Sequence, residues 1–235
     1  MDRQKHAYKG VPGMRELGVR IYQAVRGKED FGLPVKVIRA GEETTKSPNF
    51  KYLKPEEIQY TAENRFTGAK VTETWMRVMR GHGVTVLPLI RFGGADLPVL
   101  IFKPQPAVES WSIELVSGAK GPDTIEQAVK RELRQEAGLE TGSVTIMKSM
   151  ENAWHAPHRL NTTDTMAIAE RLTFVGKQND EKEEGPISPF IATWPEVVYY
   201  LRNNAIKYNS SIAMLGMYLL FHAPGLVSGI NEKEG

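Results

Sequence analysis

The sequence predicts an α/β protein, because segments with the period of a strand and segments with the period of a helix follow one another along its 235 residues. The clearest strand pair runs over Val84–Phe92 and Leu97–Lys103, joined by the turn residues Gly93-Gly94-Ala95-Asp96. The clearest helix follows Asp123 and stops at Gly138. With 41% hydrophobic and 25% charged residues, the chain has the composition of a globular domain with a buried core.

The bulk composition excludes several kinds of site. The sequence contains no cysteine, which excludes disulfides, thiol catalysis and cysteine-bound zinc. A net charge of +2 gives no indication of nucleic-acid binding. The charged start lacks the apolar core of a signal peptide, and the longest apolar run, Ile212–Phe221, is about half the ~20 residues that a membrane span needs. We therefore expect a cytoplasmic protein without a membrane partner.

Residues 1–80 are predicted to be an extension and not an independent domain. A helix is expected between Val11 and Gly27, a short strand at Val35–Arg39, and a polar loop with one helical turn at Pro55–Tyr60 over Gly41–Asn64. The apolar stripe of the helix needs a partner, and a segment with so much loop cannot fold alone. We expect this extension to pack on the main domain or on a second subunit, as a dimerisation region.

The end of the extension, Lys70–Arg80, alternates as a strand with one polar face and carries Trp75 and Arg77. Two interpretations of Trp75 are open: an aromatic side chain in a core or interface, or a platform on which a nucleotide base stacks. We take Trp75 and Arg77 as candidates for binding a substrate.

The helix after the strand pair has clear start and stop signals. Asp123 and Glu126 form an acidic capping box, so the helix is expected to begin near Thr124. Gly138 suits the left-handed position that ends a helix. At about 100° per residue, one stripe of this helix is apolar. The stripe consists of Ile125, Ala128, Val129 and Leu133.

Glu132 and Glu136 fall inside this apolar stripe. Like charges at positions i and i+4 repel each other, and carboxylates that face a core are strongly unfavourable without a cation. A hard divalent cation such as Mg²⁺ or Mn²⁺ removes both objections. The stripe therefore indicates a metal site, and the alternative is that both glutamates lie on a solvated surface.

Arg131–Leu139, RELRQEAGL, resembles the core of the Nudix box, REUxEExGU with U an aliphatic residue, at eight of its nine positions. Glu114–Gly118, ELVSG, resembles the ELPAG that precedes the box in the ADP-ribose pyrophosphatase branch. Asp123 stands where the box has an earlier glutamate. The resemblance extends over about Gly81 to Phe221.

The resemblance implies a Nudix α/β/α sandwich with a mixed sheet over residues 81–223, preceded by the N-terminal helix/strand extension and followed by a flexible tail over 224–235. It implies metal-dependent hydrolysis of a nucleoside diphosphate linked to another moiety, most often ADP-ribose or a nucleotide sugar, which gives a nucleoside monophosphate. Mg²⁺ or Mn²⁺ would be held by Glu132, Glu136 and the main-chain oxygen of Ser117. In that branch an N-terminal sheet pairs across a homodimer and helps to hold the adenine.

Four departures from the family pattern support a competing hypothesis. Gln135 replaces the first glutamate of the EE pair, although its amide still offers a metal one neutral oxygen. The loop from Gly118 to Asp123 is one residue short, Val116 replaces a proline, and only Lys103 remains of an arginine-bearing run that would face phosphate. A catalytically weakened or inactive Nudix-fold nucleotide-binding or scaffold protein is therefore the alternative. RNA association through the basic N-terminal region is a third hypothesis.

Three further groups of residues are candidates for the site. Arg131 is expected to orient the glutamates by charge-assisted hydrogen bonds, or to be a solvated helix charge. His155 and His158 lie in the polar loop Glu151–Thr163, where zinc binding, contact with phosphate or sugar (for which His158 is the candidate) and plain surface are all open. Asp164, at the start of the next strand, is a candidate general base or water-orienting group, and the alternative is a cap or turn residue.

The remaining elements follow from hydrophobic period and turn residues. Strands are expected at Trp111–Val116, Ser143–Met150, Thr165–Val175 and Phe190–Trp194, helices at Pro195–Leu201 and Ser210–His222, and a solvated turn at Asp180–Glu184.

Overall fold

The computed structural model describes residues 10–27, 54–63, 70–105, 110–154, 160–176 and 187–228. Within these ranges a mixed β-sheet packs against helices, as the sequence predicts. The strands are β1 Lys54–Glu63, β2 Lys70–Phe92, β3 Ala95–Gln105, β4 Ser110–Glu114, β5 Val116–Ala119, β6 Leu139–Ile146, β7 Ala153–Trp154, β8 Leu160–Phe174 and β9 Ser188–Ile191. The helices are α1 Val11–Arg26, α2 Ile125–Glu132, α3 Trp194–Arg202, α4 Asn209–Met217 and α5 Gly225–Ser228. Two π-helical turns, Leu133–Ala137 and Tyr218–His222, continue α2 and α4.

Strand β2 is the centre of the sheet. The main strand order is β4-β3-β2-β8-β6, and β1 and β5 also pair with β2. The pairing of β2 with β8 is parallel, whereas β2 pairs antiparallel with β1, β3 and β5. The sheet is therefore mixed. Strand β5, which leads into α2, lies next to the middle of β2.

The two strands expected over Lys70–Arg80 and Val84–Phe92 are one continuous strand, β2. Its pairing with β8 shifts register between Met79 and Gly81, and Gly81 has a positive φ of 86°. An irregularity of this kind lets one strand continue past a point where the alternation of its side chains between the two faces is broken. Strand β2 therefore runs without interruption across the position where the extension was expected to end.

The core lies on both faces of the sheet and extends to the helices. The largest fully buried side chains come from the sheet, from α1, from the turn that ends α2, from α3 and from two connecting segments. They include Met14, Leu87, Leu100, Ile101, Ile113, Leu115, Leu133, Leu139, Phe190, Ile191, Tyr200 and Ile206. Among the helices in the described ranges, none is long and apolar enough to cross a membrane.

Helix α1 finds its partner within the same chain. Met14 is fully buried, and Gly18 lies so close to β9 that a Cβ on it would be 2.0 Å from the Ile191 carbonyl oxygen. Arg15 forms two 2.7 Å contacts with the Glu196 carboxylate at the start of α3. The helix was expected to pack either on the main domain or on a second subunit, and in the structure it packs on the main domain. Helix α1 therefore gives no argument for a dimer.

Several element boundaries differ from those expected. Strand β6 begins directly after Gly138, and β8 begins at Leu160, several residues earlier than predicted. The strand expected over Trp111–Val116 is divided into β4 and β5 at Leu115. A short helix, α5, occupies part of the expected tail. The prediction of a loop with one helical turn is wrong for its last part, because Lys54–Glu63 forms strand β1 and pairs with β2. The predictions for 28–53, 155–159 and 180–184 lie outside the described residues.

Candidate active site

The helix that carries the candidate glutamates begins at a capping box made by other residues than those predicted. Thr124 is the N-cap: its hydroxyl accepts a hydrogen bond from the Gln127 N–H at 3.2 Å, and its own N–H donates to Gln127 Oε1 at 2.9 Å. The predicted pairing of Asp123 with Glu126 is therefore wrong. The Asp123 carboxylate accepts a hydrogen bond from Arg131 instead.

The end of this helix is as predicted. Gly138 has φ 65° and ψ 34°, the left-handed conformation that glycine adopts without a steric penalty. The last turn, Leu133–Ala137, is π-helical. Widened turns of this kind are frequent at functional sites, and this one carries Glu136.

Glu132 and Glu136 are buried, with only 3% and 1% of their surface exposed. They lie beside Ala128, Val129 and Leu133, which are also buried, and this confirms the predicted stripe. The alternative of solvated surface glutamates is wrong. Because a buried carboxylate without compensation is strongly unfavourable, each of the two needs a cation or hydrogen-bond donors nearby.

Glu136 is held from two sides. Its Oε2 accepts a hydrogen bond from the main-chain N–H of Ser117 at 2.9 Å. Its Oε1 lies 3.5 Å from the ammonium of Lys103, and the same ammonium lies 3.4 Å from Oε2 of Glu114. Lys103 was expected to face a substrate phosphate. In the structure it lies between two buried carboxylates.

Glu132 is held by Arg131. The guanidinium bonds to Glu132 Oε1 through Nη1, to Asp123 Oδ2 through Nε at 2.9 Å and to the Ala119 carbonyl through Nη2 at 2.6 Å. Gln135 Oε1 also accepts from Nη1, at 3.4 Å. Partial burial alone would lower the pKa of Arg131, but the hydrogen bonds and charges of Asp123 and Glu132 outweigh burial and raise it. Arg131 therefore joins the helix to the loop before it.

Gly118 allows strand β5 to lie against the Glu132 carboxylate. A Cβ at this position would be 2.2 Å from Glu132 Cδ and 2.2 Å from its Oε1. Only a residue without a side chain permits this approach. The main chain that follows Ser117 is thus brought to one of the two buried carboxylates, while the Ser117 N–H contacts the other.

Asp164 lies in the fifth position of β8 and is only 5% exposed, so the interpretation as a turn residue is wrong. Its Oδ2 accepts hydrogen bonds from Thr85 Oγ1 and Ser210 Oγ, both at 2.9 Å. Strand register pairs Asp164 with Gly83, whereas Gly118 pairs with Val84.

Neighbouring residues of a strand face opposite sides of the sheet. Asp164 therefore lies on the face of Gly83, and Glu132, which packs on Gly118, lies on the other face. This placement disfavours Asp164 as the base for a water bound at Glu132.

For Trp75 and Arg77 the structure describes only the backbone. Trp75 pairs with Ile58 and Arg77 with Glu56 in the antiparallel ladder of β1 and β2. Their proposed contacts with a substrate stay predictions. His155 and His158 lie outside the described residues, and so do the interpretations attached to them.

Glu114 is a member of the site that the sequence did not assign. It is 3% exposed and contacts Lys103, which lies diagonally across the pair of β3 and β4. A signal was present, because Glu114 is a lone carboxylate between Ile113 and Leu115 in an apolar run. Its partner Lys103, however, belongs to a different strand, and the contact depends on the register between β3 and β4.

The chemistry of these donors fits a hard divalent cation. Glu132 and Glu136 are buried oxygen donors on one helix, and the Lys103 ammonium shows that Glu136 already attracts positive charge. Within the described ranges, no three acidic or histidine side chains are grouped so that they could hold a metal. Mg²⁺ is usually bound through one or two carboxylates and completes its shell with water and substrate phosphate, so two carboxylates suffice for this ion.

No protein-family model and no curated protein matches this sequence. The structure is similar to the crystal structure of a protein described as an ADP compounds hydrolase, with a TM-score of 0.56 and 18% sequence identity. The similarity covers 73% of this chain and 96% of the other. It confirms the predicted fold class, a mixed α/β arrangement, and at this identity it concerns the fold alone.

Proposed function

We propose that this protein hydrolyses nucleoside diphosphates linked to another moiety, with ADP-ribose or a nucleotide sugar as the substrate and a nucleoside monophosphate as a product. The observation that carries the proposal is the burial of Glu132 and Glu136 on one helix, in a sequence that resembles the Nudix box. The name of the structural neighbour, an ADP compounds hydrolase, supports the same reaction class.

The proposed cofactor is Mg²⁺ or Mn²⁺, which Glu132, Glu136 and the carbonyl of Ser117 would hold, with Gln135 as an additional neutral donor. Such an ion, when bound, supplies charge neutralisation at the diphosphate and activates water for attack at phosphorus. The chain's own residues prepare the site. Arg131 holds Glu132 in place, and the Ser117 N–H fixes one oxygen of Glu136.

Other residues than these proposed metal ligands would recognise the rest of the substrate. We propose that Trp75 stacks on the base, that Arg77 contacts phosphate, and that His158 contacts phosphate or sugar. A homodimer built on the β1–β2 ladder would complete this part of the site. Among the described strands β1 pairs only with β2, which supports such a dimer. Light scattering that shows a monomer at micromolar concentration would contradict this part of the proposal.

A second candidate function is nucleotide binding without turnover. Its support is that both buried carboxylates already have a cation from the chain, Lys103 for Glu136 and Arg131 for Glu132. The neutral Gln135 adds to this support, because it replaces a carboxylate of the box.

The test is a screen of nucleoside diphosphate compounds with Mg²⁺ and with Mn²⁺, in which released monophosphate is measured. We expect at least one ADP-linked compound to be cleaved, and the rate to be lost in EDTA and in Glu136→Gln. The matched control is Glu126→Gln, because Glu126 is an exposed glutamate on the same helix. If every compound resists cleavage but an ADP-linked compound raises the melting temperature, nucleotide binding without turnover is the function.

A further inference from the structure

We infer that Lys103 is an internal counter-ion that competes with a divalent cation for Glu136. The inference rests on the proposed metal site and concerns its control. Lys103 Nζ lies 3.5 Å from Glu136 Oε1 and 3.4 Å from Glu114 Oε2, and the two carboxylates are 1% and 3% exposed. One ammonium thus contributes to the charge balance of two buried carboxylates.

The two ion pairs of Lys103 are long. A charge-assisted hydrogen bond between an ammonium and a carboxylate normally measures about 2.7–2.9 Å. The ammonium is therefore shared between Glu114 and Glu136 and is not tightly bonded to either at these contacts. A lysine side chain is also flexible, so its charged end can shift from one carboxylate toward the other.

A cation that binds Glu136 meets this ammonium. Oε2 of Glu136 is engaged by the Ser117 N–H, and Oε1 is the oxygen that faces Lys103. A neighbouring charge within about 4–6 Å changes the proton affinity of a group by about 10- to 1000-fold, and the same Coulomb energy opposes a metal ion next to an ammonium. Binding of the metal therefore requires Lys103 to leave Glu136, and Glu114 retains it.

Replacement of Lys103 by a neutral side chain should consequently strengthen metal binding. Without metal, Lys103→Met leaves Glu114 and Glu136 without this counter-charge, so its melting temperature in EDTA should fall below that of the wild type. Added Mn²⁺ should raise the melting temperature of the variant more than that of the wild type, because the ion binds the folded state more tightly.

The experiment is a Mn²⁺ titration followed by the electron paramagnetic resonance of the free ion, without substrate. We expect Lys103→Met to bind Mn²⁺ at least about tenfold more tightly than the wild type. Lys103→Arg should bind it more weakly, because a guanidinium engages both carboxylate oxygens. Lys130→Met is the matched control. Lys130 pairs with Glu126 at 2.6 Å on the exposed face of α2, and its replacement should leave the affinity unchanged.

Equal or weaker Mn²⁺ binding by folded Lys103→Met would overturn the inference. If that variant does not fold in EDTA, Lys103→Arg decides, and an affinity equal to or above that of the wild type overturns the inference. Absence of Mn²⁺ binding by every variant overturns it as well. The hydrolysis screen is read separately. Tighter Mn²⁺ binding without cleavage of any compound would leave this inference in place and contradict the proposed hydrolase.

Discussion

Replacement of Gly118 by alanine would put a methyl group into space that the Glu132 carboxylate occupies. The added Cβ would lie 2.2 Å from both Cδ and Oε1 of Glu132 and 2.5 Å from its Oε2, and real Cβ atoms essentially never approach other atoms within 3.0 Å. The φ angle of Gly118 is outside the left-handed region, so the effect is steric and not a matter of backbone strain.

The carboxylate is the group that must move in this variant. Gly118 is fixed in a strand by its pairing with Val84, whereas the Glu132 carboxylate is the end of a side chain that contacts Arg131. Overpacking of a buried site typically destabilises a protein by about 1–3 kcal/mol, and we expect a loss in this range. Because Glu132 is displaced from Arg131, Mn²⁺ affinity should fall by about 10- to 100-fold.

Two measurements on the Gly118→Ala variant test this reasoning: urea unfolding without metal, and Mn²⁺ titration without substrate. The matched control is Gly216→Ala in α4, because its Cβ position faces open space: apart from its chain neighbours and its own helix backbone, no described group lies within 4 Å. An alanine there should stabilise the helix by up to about 1 kcal/mol and leave Mn²⁺ affinity unchanged. If Gly118→Ala keeps both the stability and the Mn²⁺ affinity of the wild type, the packing of Gly118 against Glu132 does not matter to the site.

Three further predictions concern single side chains. In initial-rate assays against Mg²⁺ concentration, Gln135→Glu should lower the Mg²⁺ needed for half-maximal rate about threefold through its added charge, whereas Glu136→Gln should reduce the rate about 100-fold or more. Tyr200 has a buried hydroxyl without a hydrogen-bond partner among the described residues, so Tyr200→Phe should keep or raise thermal stability by up to about 1 kcal/mol, and a clear loss would contradict this. Asp164→Asn should lower the free energy of unfolding by about 1–3 kcal/mol in urea, because two hydroxyls bond to that carboxylate, while its Mn²⁺ titration should match the wild type.

The burial of Glu132 and Glu136 could be predicted because it depends on one helix only. The 100° period fixes which side chains share a stripe, whatever the helix packs against, and the stripe is buried as expected. The capping box was less predictable. Asp123 and Thr124 both have side-chain oxygens suited to an N-cap. Thr124 takes this position because the Asp123 carboxylate bonds to Arg131, eight residues further on.

The role of Lys103 could not be predicted because it depends on strand register. The pairing of β3 with β4 places Lys103 opposite Ser112 and Ile101 opposite Glu114, which makes Lys103 and Glu114 diagonal neighbours on one face. A shift of one residue would move Glu114 to the other face, and nothing local in either strand fixes this choice. For the same reason, the sequence could indicate an acidic site but not the cation beside it.

The candidate residues lie on two different faces of the sheet, with the proposed metal ligands on one face and Asp164 on the other. Glu132 and Glu136 lie on the face that α2 covers, and Gly118 gives that face its close contact with Glu132. Asp164 lies on the opposite face, where it bonds to Ser210 of α4 and Thr85 of β2. A water between the two glutamates and a substrate phosphate would therefore be separated from Asp164 by the sheet itself. If hydrolysis is observed, we expect the group that accepts the proton of that water to come from the α2 face, and the search for it should begin with the buried carboxylates there.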